Sequence, residues 1–247
     1  MMNPDDVLVI VGLVLQLALL AILIRGKHYR HFPFFSVYIA YAIAVSGLFL
    51  WVMSYPRLFF PLYWITEAVS GVLQLLALHE AFKPSLEMYY KLYRWTWVIP
   101  LLIVALIVGS ALWRGGYHPV GQGRFVNLAA GAYAFEIGVR VLEVGVFVLA
   151  LKLAQRKDHP IGQQHPFGIV IGFGVAASAA LLADLVGLKF AFKFGHVFDI
   201  IFRYMPASGY IAAAAAWLIA FATEDRRRTR ATPEEIQRRL DQQRNIG

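Results

Sequence analysis

The chain has 247 residues, of which 59% are hydrophobic and only 15% charged, and its mean hydropathy is +0.59. A soluble domain carries about 25% charged residues, so a water-soluble globule is excluded. Cysteine is absent, which removes disulfides, thiolate metal sites and cysteine nucleophiles. The net charge of +8 would suit nucleic acid, but the basic residues sit beside apolar stretches, where a lipid surface is the natural partner.

A hydrocarbon core about 30 Å thick needs roughly 20 mostly apolar residues per helix. Seven stretches meet that length: 6–25, 34–54, 59–82, 95–113, 126–151, 167–188 and 198–222. The expected fold is therefore all-α, a seven-transmembrane-helix bundle over residues 1–223 with short loops. The first stretch has an acidic leader and is followed by Arg25, the reverse of a secretory signal, and is expected to persist as an anchor. The second ends at Trp51 and Tyr55. Tyr89, Tyr90, Tyr93, Trp95 and Trp97 precede or open the fourth, which ends at Trp113. These aromatic residues mark headgroup interfaces.

The third stretch carries Tyr63, Trp64 and Glu67, then His79 and Glu80 at its end. In the fifth, Glu136, Arg140 and Glu143 are spaced i, i+4, i+7. They project from one face, and the arginine can pair with either carboxylate. The sixth has Gly168, Gly172, Ala176 and Ala180 at four-residue spacing, a small-residue seam for close helix packing, most simply within the chain. Asp184 continues that seam, so it should face protein. The seventh holds Asp199, Arg203 and Tyr210, with His196 at its outer edge. Residues 224–247 form a basic tail, in which Thr232-Pro233-Glu234-Glu235 predicts the start of a short helix. A tail of that length is too short for a domain.

Orientation follows from lysine and arginine. Sixteen lie in the first, third and fifth connections and the tail, five lie on the other side, and Arg140 and Arg203 are inside helices. Basic residues in short loops resist translocation, which places the N-terminus outside and the C-terminus in the cytoplasm, in a membrane of the bacterial inner type. Glu67, Glu136, Arg140, Asp184, Asp199 and Arg203 then fall in the outer half or near the middle.

A charge at the helix centre costs about 2.5–3.5 kcal/mol on the insertion scale, so such residues face the bundle interior, pair, and mark function. Glu67, Glu136, Glu143, Asp184 and Asp199 outnumber Arg140 and Arg203. Three carboxyl groups left over must be protonated, hydrated or matched by a cation. The expected ligand site is therefore an outward-facing polar pocket of Glu67, Glu136, Arg140, Asp184, Asp199 and Arg203 with aromatic walls from Tyr63, Trp64 and Tyr210. Its expected occupant is a small polar or cationic molecule. The opposing expectation is that the pairs only fix helix register.

Catalytic motifs are missing. No lysine lies in 198–222 for a retinal Schiff base, and Phe135 stands where a prenyl-protein protease would need the first of two paired glutamates. There is no P-loop, dinucleotide fingerprint or nucleophile–base spacing, so no cofactor and no metal is expected. His28, His31, His159 and His165 are expected in solvated or lipid-facing loops. The run Tyr63-Trp64-Ile-Thr-Glu67 through His79-Glu80-Ala-Phe82 resembles the seven-transmembrane sensory modules of bacterial sensor kinases and related membrane proteins. That resemblance implies a bundle that senses a small ligand or the membrane state and signals through a cytoplasmic or membrane partner. A small-molecule or proton-coupled transporter is the second expectation and a membrane enzyme the third.

Overall fold

The computed structural model describes residues 4–52, 55–92, 105, 107–110, 112–113, 124–154, 164–190 and 195–230. Among these residues all regular structure is helical. Six long helices follow one another: α1 (Pro4–Arg25), α2 (Pro33–Val52), α3 (Pro56–Leu92), α4 (Arg124–Ala154), α5 (Gln164–Phe190) and α6 (Gly195–Arg230), with a 3-10 turn at His28–Arg30. The helices α4, α5 and α6 are the fifth, sixth and seventh predicted stretches. Of the fourth, residues 107–110 are helical, and Ile107 is buried beside Gly138 of α4. Four helical segments are long and apolar enough to cross a membrane: Val7–Arg25, Leu58–Lys83, His165–Val186 and Tyr204–Thr223. This is a membrane protein by composition and helix length. The outward sides of the helices carry exposed Val9, Ile10, Val14, Val37, Leu182, Leu185 and Ile219, a surface that suits lipid and not water.

Two helices overrun their predicted stretches. Hydropathy falls after residue 82 and after residue 222, but α3 continues to Leu92 and α6 to Arg230. Hydropathy marks where lipid ends, whereas lysine, glutamate and arginine sustain a helix well. The start of the predicted tail, 224–230, is thus a continuation of α6, while the predicted helix at Thr232 lies outside the described residues.

The core occupies one end of the bundle. The C-terminal parts of α1, α3, α4 and α6 meet the N-terminal parts of α2 and α5 there, around Leu19, Phe35, Ala77, Ala150, Phe173, Trp217 and Phe221. Trp217 is its hub: the ring lies 5.3 Å from Phe35 and 5.1 Å from Phe173, and the indole N–H donates to the carbonyl of Ile169 at 3.1 Å. The small-residue seam makes this possible. A Cβ at Gly172 would fall within the indole of Trp217, and one at Gly168 would collide with Ala220. The seam therefore packs α5 against α6 of the same chain.

The same end corrects two expectations about polar residues. His28 and His165 are buried, not solvated. Their rings meet edge to face at 4.8 Å, and His165 stacks on Phe221 at 4.6 Å. Both stand at the start of a helical element, His165 in the first turn of α5 and His28 in the 3-10 turn, and not in a loop. Glu80 is a cap: its carboxylate accepts from the backbone N–H of Phe35 at 3.1 Å and Phe34 at 3.4 Å. Helix α2 begins with Pro33 and has no side-chain cap from Phe32, so α3 supplies the acceptor that its free N–H groups need.

Candidate functional site

Away from the aromatic core, α3, α4, α5 and α6 surround a partly open cavity of about 140 Å³. Helical spacing explains its lining. Glu67, Gly71 and Gln74 share one face of α3, and Glu136, Arg140 and Glu143 share one face of α4. A Cβ at Gly71 would come within 2.6 Å of the Phe135 ring, so glycine there lets α3 and α4 approach and brings the two polar faces together. Ala176, Ala177 and Ala180 of α5 and Pro206 and Tyr210 of α6 complete the wall.

Charge is graded from the mouth inward. Arg140 is held between two carboxylates: Nη1 donates to Asp184 Oδ2 at 2.9 Å across to α5, and Nη2 donates to Glu136 one turn back. The side chains of Arg140, Glu136 and Asp184 are 22%, 16% and 15% exposed. Glu143, one turn deeper, is 3% exposed. Of the two carboxylates that spacing allows, Arg140 takes Glu136, and it takes Asp184 of α5 as a second partner. Spacing along α4 allows both of its own carboxylates, but the rotation of α5 presents a third, and the guanidinium fork fits two carboxylates at once. Among the described residues Glu143 Oε1 has no hydrogen-bond partner. Glu67 has no ion pair among them either.

Two hydrogen-bonded groups lie near Glu143, one joining α1 to α6 and one joining α3 to α2. Gln16 Nε2 of α1 donates to the Tyr210 hydroxyl at 2.7 Å. Gln74 Nε2 lies 3.4 Å from the Tyr38 hydroxyl of α2 and 3.5 Å from Ser70 Oγ. These polar groups end where the aromatic core begins, since Tyr38 and Tyr210 are ring neighbours of Trp217 at 6.2 Å.

Of the residues expected at the site, Glu67, Glu136, Arg140 and Tyr210 line the cavity and Asp184 closes its mouth through Arg140. Tyr63 instead stacks with Phe59 and Phe49, and Trp64 packs on Tyr133 of α4. Asp199 and Arg203 stand on α6, but their side chains lie outside the described residues, as does that of His196. Sequence reasoning missed Gln74, Gln16 and Tyr38 as site residues. Gln74 carried a signal, falling seven residues after Glu67 on the same helix face. Gln16 and Tyr38 are single polar residues in apolar stretches and carried none. Among the described residues no three His, Asp or Glu side chains converge as a metal site.

No family model, curated protein or solved structure matches the chain.

Proposed function

We propose that this is a seven-helix receptor-like or sensor-like protein of a bacterial inner membrane, whose cavity opens outward and whose output passes to a separate cytoplasmic or membrane partner. The observation that carries this reading is the asymmetry of the interior. One half holds a polar cavity with more acids than bases, and the other is sealed by Phe35, Phe173, Trp217 and Phe221, each no more than 2% exposed. A pocket with a dry floor suits binding from one side. A ligand that touches α3, α4, α5 and α6 together can shift their packing by its differential affinity for two arrangements.

Helix direction supports the seven crossings. The C-terminal parts of α3 and α4 enter the same core, so these helices run the same way, as the third and fifth of seven alternating crossings would. On the orientation read from the basic residues, the aromatic core is the cytoplasmic end.

One observation favours the carrier alternative. Pro206 lies inside α6 at the cavity wall, where it frees a backbone carbonyl and permits a bend. Single cysteines in this cysteine-free chain separate the two readings. Glu67→Cys is expected to react with a membrane-impermeant thiol reagent added outside, and Ala214→Cys, in the dry core, with none from either face. Labelling of Ala214→Cys from the cytoplasmic face would replace the receptor reading by alternating access, and an unreactive Glu67→Cys in folded protein would remove the pocket.

A further inference from the structure

Resting on the reading of the cavity as a receptor-like pocket, we propose that its ligand is a small primary alkylammonium ion. Its head sits at Glu143 and Gln74, and a short hydrocarbon chain lies against Ala176, Ala177 and Ala180.

Charge comes first. Arg140 is the one cation on the described lining, and both of its hydrogen-bonding edges are already engaged by Glu136 and Asp184. Glu67 and Glu143 remain unmatched. Glu143 is 3% exposed, lines the cavity and has an Oε1 atom with no hydrogen-bond partner among the described residues. An unpaired polar atom at that depth is costly, and a donor that carries positive charge is the complement it lacks.

Donor count and shape narrow the class. The Gln74 amide nitrogen is directed at the Tyr38 and Ser70 hydroxyls, which leaves its carbonyl oxygen to accept. With the two carboxylate oxygens of Glu143 that makes three acceptor atoms, matching the three N–H bonds of a primary ammonium. A guanidinium brings five donors in a plane and would leave some unpaired. A quaternary ammonium brings none and is recognised by aromatic faces, whereas the lining offers the single ring of Tyr210. A bare metal ion lacks its ligand cluster among the described residues. Size sets the tail: a protein cavity of about 150 Å³ admits benzene, with six heavy atoms, and this one is about 140 Å³. The alanine wall on α5 is apolar, and that volume admits a chain of about four or five carbons.

The test uses the purified full-length chain in detergent, unfolded thermally in a series of n-alkylamine hydrochlorides from ethyl to hexyl. The matching n-alcohols and sodium chloride at equal ionic strength are controls. The expected result is a dose-dependent rise in Tm that peaks near butyl or pentyl, with no rise in the alcohols. In Glu143→Gln the half-maximal concentration should increase by at least about tenfold, the loss of a charge-assisted contact, and in Glu67→Gln, two turns from Gln74 along α3, by less. If Glu143→Gln does not fold, Glu143→Asp keeps the charge one methylene further back and should move the optimum to a longer amine. An equal response to amine and alcohol, or an unchanged response in Glu143→Gln, would overturn the ammonium assignment. Labelling of Ala180→Cys from outside distinguishes the two levels. Reaction that butylamine slows supports the proposal, reaction that no amine slows keeps the pocket and removes the ammonium, and no reaction removes both.

Discussion

Replacing Arg140 by leucine strands two carboxylates on different helices at once, because the guanidinium is the shared partner of Glu136 on α4 and Asp184 on α5. Removing one member of a buried ion pair costs about 3–5 kcal/mol. Here all three side chains keep some contact with the cavity mouth, at 15–22% exposure, so water screens part of the loss and the lower end, about 3 kcal/mol, applies. For a chain of this size 1 kcal/mol corresponds to about 2–4 °C, so Tm should fall by about 6–12 °C. Thermal unfolding in detergent reads this directly, with folded yield by size-exclusion chromatography alongside. Arg140→Leu combined with Asp184→Asn should recover part of the fall, and adding Glu136→Gln should recover more, because each change removes a stranded charge. Arg140→Lys should be intermediate, since an ammonium lacks the planar fork that reaches two carboxylates. An unchanged Tm in Arg140→Leu, or strictly additive losses in the double variant, would refute the bridge between α4 and α5.

Gly172→Ala should destabilise by about 1–3 kcal/mol as overpacking forces Trp217 out of its slot, and tryptophan emission should shift to the red. Glu80→Ala should cost about 1 kcal/mol by uncapping α2, and the amides of Phe34 and Phe35 should exchange faster with deuterium. A reporter active only in the cytoplasm should work when fused after Gly247 and stay silent when placed between the fourth and fifth apolar stretches, at 114–125; the opposite pattern would invert the inside and outside of every charged residue.

Spacing along single helices was legible in the sequence, and relations between helices mostly were not. The seven-residue stripe on α4 placed Glu136, Arg140 and Glu143 on one face, and the seam on α5 placed Asp184 toward protein. Both follow from the 3.6-residue repeat, which is a property of one helix alone. Which carboxylate Arg140 would choose depended on the rotation of α5 about its own axis, and no periodicity encodes that. His28 and His165 meet although they are far apart in the chain, and their burial depends on how deeply the helix ends sink between their neighbours. Tyr63 and Trp64 were expected on the cavity from their proximity to Glu67, but α3 turns them toward Phe49 and Tyr133. The helix ends at Leu92 and Arg230 were hidden for a simpler reason, since the signal used to find them measures affinity for lipid.

The length of α6 has a mechanical meaning. Its 36 residues make a rod of about 54 Å, nearly twice the thickness of a hydrocarbon core of about 30 Å. Pro206 touches the cavity, and the 24 residues from there to Arg230 span about 36 Å. A 5° tilt about that proline swings the far end sideways by about 3 Å, the width of a side-chain contact. On the receptor reading, small adjustments around a bound molecule would thus arrive at the other end of the rod as a step large enough for a neighbouring protein to register.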